Sequence, residues 1–167
     1  PTRARTTPRT SMTIWGIGPR MFLHTAWISS PIVVIHVLLA DRLRADVPPA
    51  VWWYVVGGAM TVLGLVGVRW GSHHIRRHWR QGQLCTTGPY RWCRNPLYAS
   101  WILLVAPGLV LVLRLPGLLT IPVIMYLVLR RLIRRGEAFL EERFGDAWRQ
   151  YRDRTNRLWP RFPAKEE

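Results

Sequence analysis

The chain has 167 residues, 49% of them hydrophobic and 10 of them Trp, yet its formal net charge is +15. That combination excludes an ordinary soluble globule, and it excludes a nucleic-acid surface, which would interleave basic residues with exposed aromatics instead of setting arginines beside apolar runs. What remains is an all-α polytopic membrane protein whose surplus charge faces anionic lipid headgroups.

Residues 1–20 read as a flexible basic tail, polar and unpatterned through residue 12. Residues 21–167 read as a single membrane domain. Four runs without Asp, Glu, Lys or Arg follow the tail, at 21–40, 51–68, 97–113 and 117–129. A crossing helix needs roughly 20 apolar residues, so the first three qualify as spans. The fourth reaches residue 133 if Arg130 and Arg131 snorkel to the headgroups. The alternative is a tight hairpin through 97–133 that does not cross fully. No small-residue cleavage site follows the first run, which therefore reads as a retained span and not as a signal peptide.

Inside the spans, Pro31, Pro107 and Pro122 each remove a backbone hydrogen bond and predict kinks. Gly57, Thr61 and Gly64 form one small-residue face for close helix packing. His24 and His36 predict hydrogen bonds between helices. Arg114, Leu115, Pro116 and Gly117 supply a chain reversal between the last two spans. Past the fourth span, residues 134–157 predict an amphipathic helix, or a pair broken near Gly145, with Leu140, Phe144, Ala147, Trp148 and Tyr151 on its apolar side.

Basic residues fall unevenly about this topology. The tail holds four, the segment 69–96 six and the stretch from Arg130 onward eleven, against Arg42, Arg44 and Arg114 on the other side. The positive-inside rule then predicts a multi-pass protein with both termini cytoplasmic. Cys85 and Cys93 lie on that reducing side and read as free thiols, without the spacing of a zinc site.

The densest stretch runs from Leu84 through Thr86, Gly88, Pro89, Tyr90, Arg91, Arg94, Asn95 and Pro96 to Tyr98, straight into the third span. Gly88-Pro89 predicts a turn, and Asn95-Pro96 a helix start with Asn95 as N-cap. Unpaired N–H groups at such a start, beside Arg91 and Arg94, suit a carboxylate.

These residues resemble the signature of the isoprenylcysteine carboxyl methyltransferase and phospholipid methyltransferase superfamily. Its pattern is Leu-Val-Thr-x-Gly-x-Tyr, then Arg-His-Pro-x-Tyr opening a helix, a helical hairpin, a Glu-Glu pair, Phe-Gly and a Tyr-x-x-Tyr-like segment. Here Leu84, Thr86, Gly88, Tyr90, Arg94, Pro96 and Tyr98 match, followed by Glu137, Leu140, Phe144-Gly145, Trp148, Tyr151, Arg157 and Pro160. The match covers roughly residues 82–160, about half the chain. Asn95 replaces the histidine, as in the Asn-Pro-x-Tyr form of phosphatidylethanolamine methyltransferases. Gly136 replaces the first Glu of the pair, and Gly82 a polar position. Glu141-Glu142 lies too close to Phe144 to stand for that pair and reads as solvated surface.

The resemblance implies methyl transfer from S-adenosylmethionine to a lipid or other hydrophobic acceptor at the cytoplasmic face, with no metal. It implies cofactor contacts at Leu84, Thr86, Gly88, Tyr90, Arg94, Asn95, Pro96, Tyr98 and Glu137, and catalytic roles for Arg94, Asn95, Tyr98 and Glu137. Arg94 and the helix start suit the methionyl carboxylate, and Glu137 the ammonium or ribose. Tyr90 and Tyr98 suit adenine or the sulfonium. A phospholipid amine is the favoured acceptor, with isoprenylcysteine-like carboxylates and small hydrophobic thiols or amines as alternatives. A different class, a haem-binding membrane module, would use His73, His74, His78, His24 or His36, but Arg76, Arg77 and Arg80 crowd the first three with like charge.

Overall fold

A computed structural model describes residues 16–43 and 50–161. Residues 1–15 of the expected tail lie outside the described residues.

Helix α1 spans Gly18–Leu38, followed by a short α2 at Ala40–Leu43. Helix α3 spans Ala50–Arg80, α4 spans Pro96–Leu113 and α5 spans Thr120–Arg154. Between α3 and α4 a 3-10 turn occupies Gly88–Arg91, and another at Pro116–Leu119 leads into α5. Four helices are long and apolar enough to cross a membrane, and no strand occurs among the described residues.

The helices begin and end differently from the charge-free runs. Gly18, Pro19 and Arg20 belong to α1, with Ile17 buried before them, so these four residues are ordered where the sequence predicts a tail. Helix α3 runs on to Arg80 because the Arg- and His-rich segment after Val68 contains no Pro and keeps helical hydrogen bonding. Helix α5 likewise continues through residues 133 and 134, joining the fourth span to the amphipathic segment.

The prolines behave unequally. Helix α1 is continuous through Pro31, and Pro122 falls in the first turn of α5, where its missing N–H breaks no intrahelical bond. Only Pro107 follows an irregularity: α4 is α-helical over Pro96–Ser100, π-helical over Trp101–Val105 and α-helical again over Ala106–Leu113. The Ala106 N–H reaches the Trp101 carbonyl, and this wide turn accommodates the ring two residues further on. The reversal after α4 uses Arg114 in the left-handed region, at φ 58°.

Helix α3 packs chiefly on α4, α1 chiefly on α5, and α4 joins the two pairs. The small-residue face of α3 makes the first seam. A Cβ on Gly57 would lie 2.7 Å from the Gly108 carbonyl oxygen, and one on Gly64 2.9 Å from the Val105 nitrogen. Thr61 meets Gly108 between them and donates to its own Gly57 carbonyl at 2.8 Å. Among the described residues neither His24 nor His36 makes the expected hydrogen bond between helices. Each turns Nδ1 onto the carbonyl one turn back, Arg20 at 2.7 Å and Ile32 at 2.8 Å, because that acceptor is within reach without another helix.

Gly57→Ala is therefore expected to lower unfolding stability by about 1–3 kcal/mol in detergent, despite Ala's better helix propensity. Gly58, with open space around its Cβ position, is expected to accept Ala with no loss and a gain of up to ~1 kcal/mol. Thermal or denaturant unfolding of the two variants checks the contrast.

Candidate functional site

At the basic end of the helices, the start of α1, the last turns of α3, the 81–95 segment, the start of α4 and the middle of α5 enclose a cavity of about 440 Å³. Its walls are of two kinds. Phe22, Val68, Leu97, Trp101 and Ile133 supply apolar lining and Arg76, Arg94, Asn95 and Glu137 polar lining, with Arg94 and Glu137 meeting at an ionic end.

Arg94 organises that end. Its side chain is only 9% exposed, and Nη1 donates to the carbonyls of Arg152 at 2.5 Å and Thr155 at 2.9 Å. Nη2 lies 3.4 Å from Glu137 Oε1, and the guanidinium stands 5.9 Å from the centre of the Trp148 ring. Glu137 is also gripped by Arg157, Nε donating to Oε1 at 3.0 Å and Nη2 to Oε2 at 2.6 Å. Burial lowers the Arg94 pKa, Glu137 opposes that shift, and Arg157 adds to it. The hydrogen bonds to Glu137 raise that of Arg157. Two buried donors here, Arg94 Nε and Trp148 Nε1, have no hydrogen-bond acceptor among the described residues.

The C-terminal segment reaches the site by a reversal. Gly145, at φ 52° and ψ −123°, interrupts α5 in a conformation essentially reserved for glycine. The chain then brings Trp148 and Tyr151 against the cavity, where the Tyr151 hydroxyl donates to the Tyr90 carbonyl at 2.7 Å. Main-chain bonds hold the segment: Arg94 N–H to the Asn156 carbonyl and Arg161 N–H to the Trp92 carbonyl, both at 2.8 Å. Asn95 Nδ2 donates to the Arg157 carbonyl at 3.1 Å. Asn95 thus precedes α4 as expected, but its side chain makes no cap.

Of the residues named from sequence, Leu84, Tyr90, Arg94, Asn95, Tyr98 and Glu137 line this one cavity. Tyr98 reaches the backbone of Gly18 with its hydroxyl, closing the α1 side. Thr86, Gly88 and Pro96 are not in the lining. Thr86 is exposed, Gly88 takes φ 60° against the His74 ring, and Pro96 is buried as the first residue of α4. Sequence reasoning missed Arg76, Trp101, Trp148 and Tyr151 as cavity residues, and Arg157 as the partner of Glu137. Arg76 is hidden in a run of basic residues, and Arg157 lies 20 positions from its partner. Glu141 stays apart, paired with Arg149 at 3.0 Å and Arg152 at 3.7 Å.

No family model, curated protein or solved structure matches this chain.

Both thiols are buried, Cys85 in the cavity lining and Cys93 in the core, and burial pushes Cys85 up to about 11 and raises Cys93 as well. Only the thiolate is nucleophilic. Maleimide labelling at pH 8 is therefore expected to be slower on the folded protein than on the unfolded one by about tenfold or more, read by mass spectrometry. Because folding favours the neutral Cys85 thiol, its contribution to stability is complete below pH 9.0 and is lost as pH rises toward about 11. Cys85→Ala is expected to flatten that part of the stability profile.

Proposed function

We propose that this protein transfers a methyl group from S-adenosylmethionine to a hydrophobic acceptor, a phospholipid amine before others, at the cytoplasmic face of a membrane. The observation that carries this reading is the union, in one cavity, of apolar residues from the spans with the Arg94–Glu137 ion pair. The order of signature residues from Leu84 to Tyr98, with Glu137 opposite, supports it.

The donor set fits an amino-acid-bearing cofactor. Arg94 Nε and Trp148 Nε1 are buried donors in want of an acceptor, which a carboxylate or a hydroxyl supplies. Glu137 is the acidic partner for an ammonium, in exchange for part of its bonding to Arg157. Bound S-adenosylmethionine supplies a methyl group already activated on a sulfonium. The chain's part is to align the acceptor with that methyl and keep water out, which the aromatic and aliphatic wall of Phe22, Leu97 and Trp101 does by its composition. Asn95, its amide nitrogen spent on Arg157, orders the C-terminal segment and takes no proton.

Arg76, in the same lining, favours a second reading, in which the acceptor is a carboxylate such as that of an isoprenylated cysteine. Initial rates with labelled cofactor on phosphatidylethanolamine, a farnesylated cysteine and a short soluble amine decide the class. The phospholipid is expected to be fastest; turnover fastest on the soluble amine would overturn the reading of a hydrophobic acceptor. Glu137→Gln is expected to weaken binding of the demethylated cofactor product by about tenfold or more, and Glu141→Gln by less than about twofold, in calorimetric titration. Equal losses would contradict the assignment of Glu137.

The distribution of arginines supports a reading in which both termini and the cavity lie on the cytoplasmic side. The native thiols are too well buried to report it, so exposed positions serve instead. A cysteine introduced by Arg91→Cys is expected to react with an impermeant maleimide only in inverted vesicles. One introduced by Arg42→Cys, on the opposite side, is expected to react in intact cells.

A further inference from the structure

The cavity follows α3 from Val68 to Trp79, about 16 Å along the helix axis. At the far end its lining includes three residues that neither the signature nor the ionic junction uses, Trp79, Gln83 and Phe139.

The way α3 ends brings them together. Gly82 takes φ 68°, and two main-chain bonds close the helix, Gly82 N–H to the Trp79 carbonyl at 3.1 Å and Gln83 N–H to the His78 carbonyl at 3.0 Å. This is the Schellman arrangement, in which a glycine in the left-handed region turns the chain out of the helix. It places Gln83 in the cavity lining with Trp79, and it accounts for glycine at position 82, where the family pattern has a polar residue. Phe139 comes from α5. Its ring lies within 28° of parallel to the Trp79 indole, with the centroids 6.4 Å apart. Arg143 braces that indole, its guanidinium 5.1 Å from the ring centre.

Two properties select a ligand. Near-parallel rings suit a flat one: in contact with both at about 3.5 Å it needs about 7 Å, which a small parting of the side chains supplies. Gln83 is exposed, and its amide makes no hydrogen bond among the described residues, so it offers a donor and an acceptor side by side. A 6-aminopurine presents the matching pair at N6 and N7, whereas a 6-oxopurine presents two acceptors and leaves the Gln oxygen opposed. Tyr90 and Tyr98, which their spacing offers to adenine, suit a base less well. Tyr90 is only 7% exposed, and the Tyr98 hydroxyl is engaged with the backbone of Gly18.

We propose that the Trp79, Gln83 and Phe139 end of the cavity is a nucleobase pocket selective for a 6-aminopurine, stacked by the two rings and read at N6 and N7 by the Gln83 amide. What the base carries rests on the methyl-transfer reading; the preference for the 6-amino group does not. On that reading the cofactor's adenine lies here, and the Arg94–Glu137 junction is left for its amino-acid end.

Calorimetric titration of the full chain in detergent tests this, comparing adenosine with inosine and the demethylated cofactor product with its inosyl analogue. The wild type is expected to bind each adenine compound about tenfold more tightly than its hypoxanthine counterpart. Gln83→Leu, at an exposed position, is expected to bring both ratios near one with an unchanged melting temperature. Trp79→Leu is expected to weaken all four compounds by about tenfold, and Trp79→Phe, which keeps a flat ring, by about threefold or less. A wild-type ratio near one, or a preference that survives in Gln83→Leu, overturns the proposal. Discrimination between the nucleosides with no tighter binding of the cofactor product refutes methyl transfer and leaves the pocket standing, while tight binding of the product without discrimination does the reverse. Absence of binding by nucleosides and product alike overturns both.

Discussion

Glu137 stands on α5 with two guanidinium groups closed on it, Arg94 from the segment before α4 and Arg157 from the returning C-terminal segment. A carboxylate this sheltered, 13% exposed in its side chain, is tolerable only when paired. The two arginines have the complementary difficulty, repelling one another unless the carboxylate lies between them. Three segments distant in sequence are thus obliged to meet at one point, and the cavity is the space they leave beside it. Arg94 extends the same arrangement by capping the carbonyls of Arg152 and Thr155, where the last helical turn would otherwise have unmet acceptors.

This ionic junction divides the labour with the apolar seam of α3 and α4. The seam depends on absent side chains: Gly57, Gly64 and Gly108 let two backbones approach, which lipid tails give no hydrophobic reason to do. The junction depends on long side chains reaching across a wet boundary. Helix α4 takes part in both, through Gly108 at one level and through the Arg94-Asn95 approach to Pro96 at the other.

The four apolar helices were legible because charge is excluded from hydrocarbon, so the runs at 21–40, 51–68, 97–113 and 117–129 mark them directly. Their ends were not, because nothing forbids a helix from continuing into water, as α3 does to Arg80 and α5 does past Ile133. Proline was a poor guide to kinks, since Pro122 falls in a first turn and costs no bond. The site was half legible. Residues close in sequence, such as Tyr90, Arg94, Asn95 and Tyr98, carry a recognisable spacing. Trp148 and Arg157 enter only because Gly145 turns the chain back, a long-range event that no local spacing encodes, and Arg76 because α3 runs on past its apolar run to border the cavity.

The π-helical turn at Trp101–Val105 has a consequence for how α4 is phased. One wide turn acts as a single inserted residue, which rotates everything before it by about 100° relative to everything after it. Tyr98 and Trp101 on one side of the turn face the cavity, and Gly108 on the other faces α3, although a straight helix through the same residues cannot satisfy both. Removing one residue between positions 101 and 105 would restore an unbroken α-helical phase. The seam with α3 at Gly108 would stay in place, while Tyr98 and Trp101 would swing away from α1 and Leu97 and Ser100 away from Gly71 and Gly67, so that a single deletion inside an apolar stretch would erase the cavity wall and open the cavity-side half of the seam.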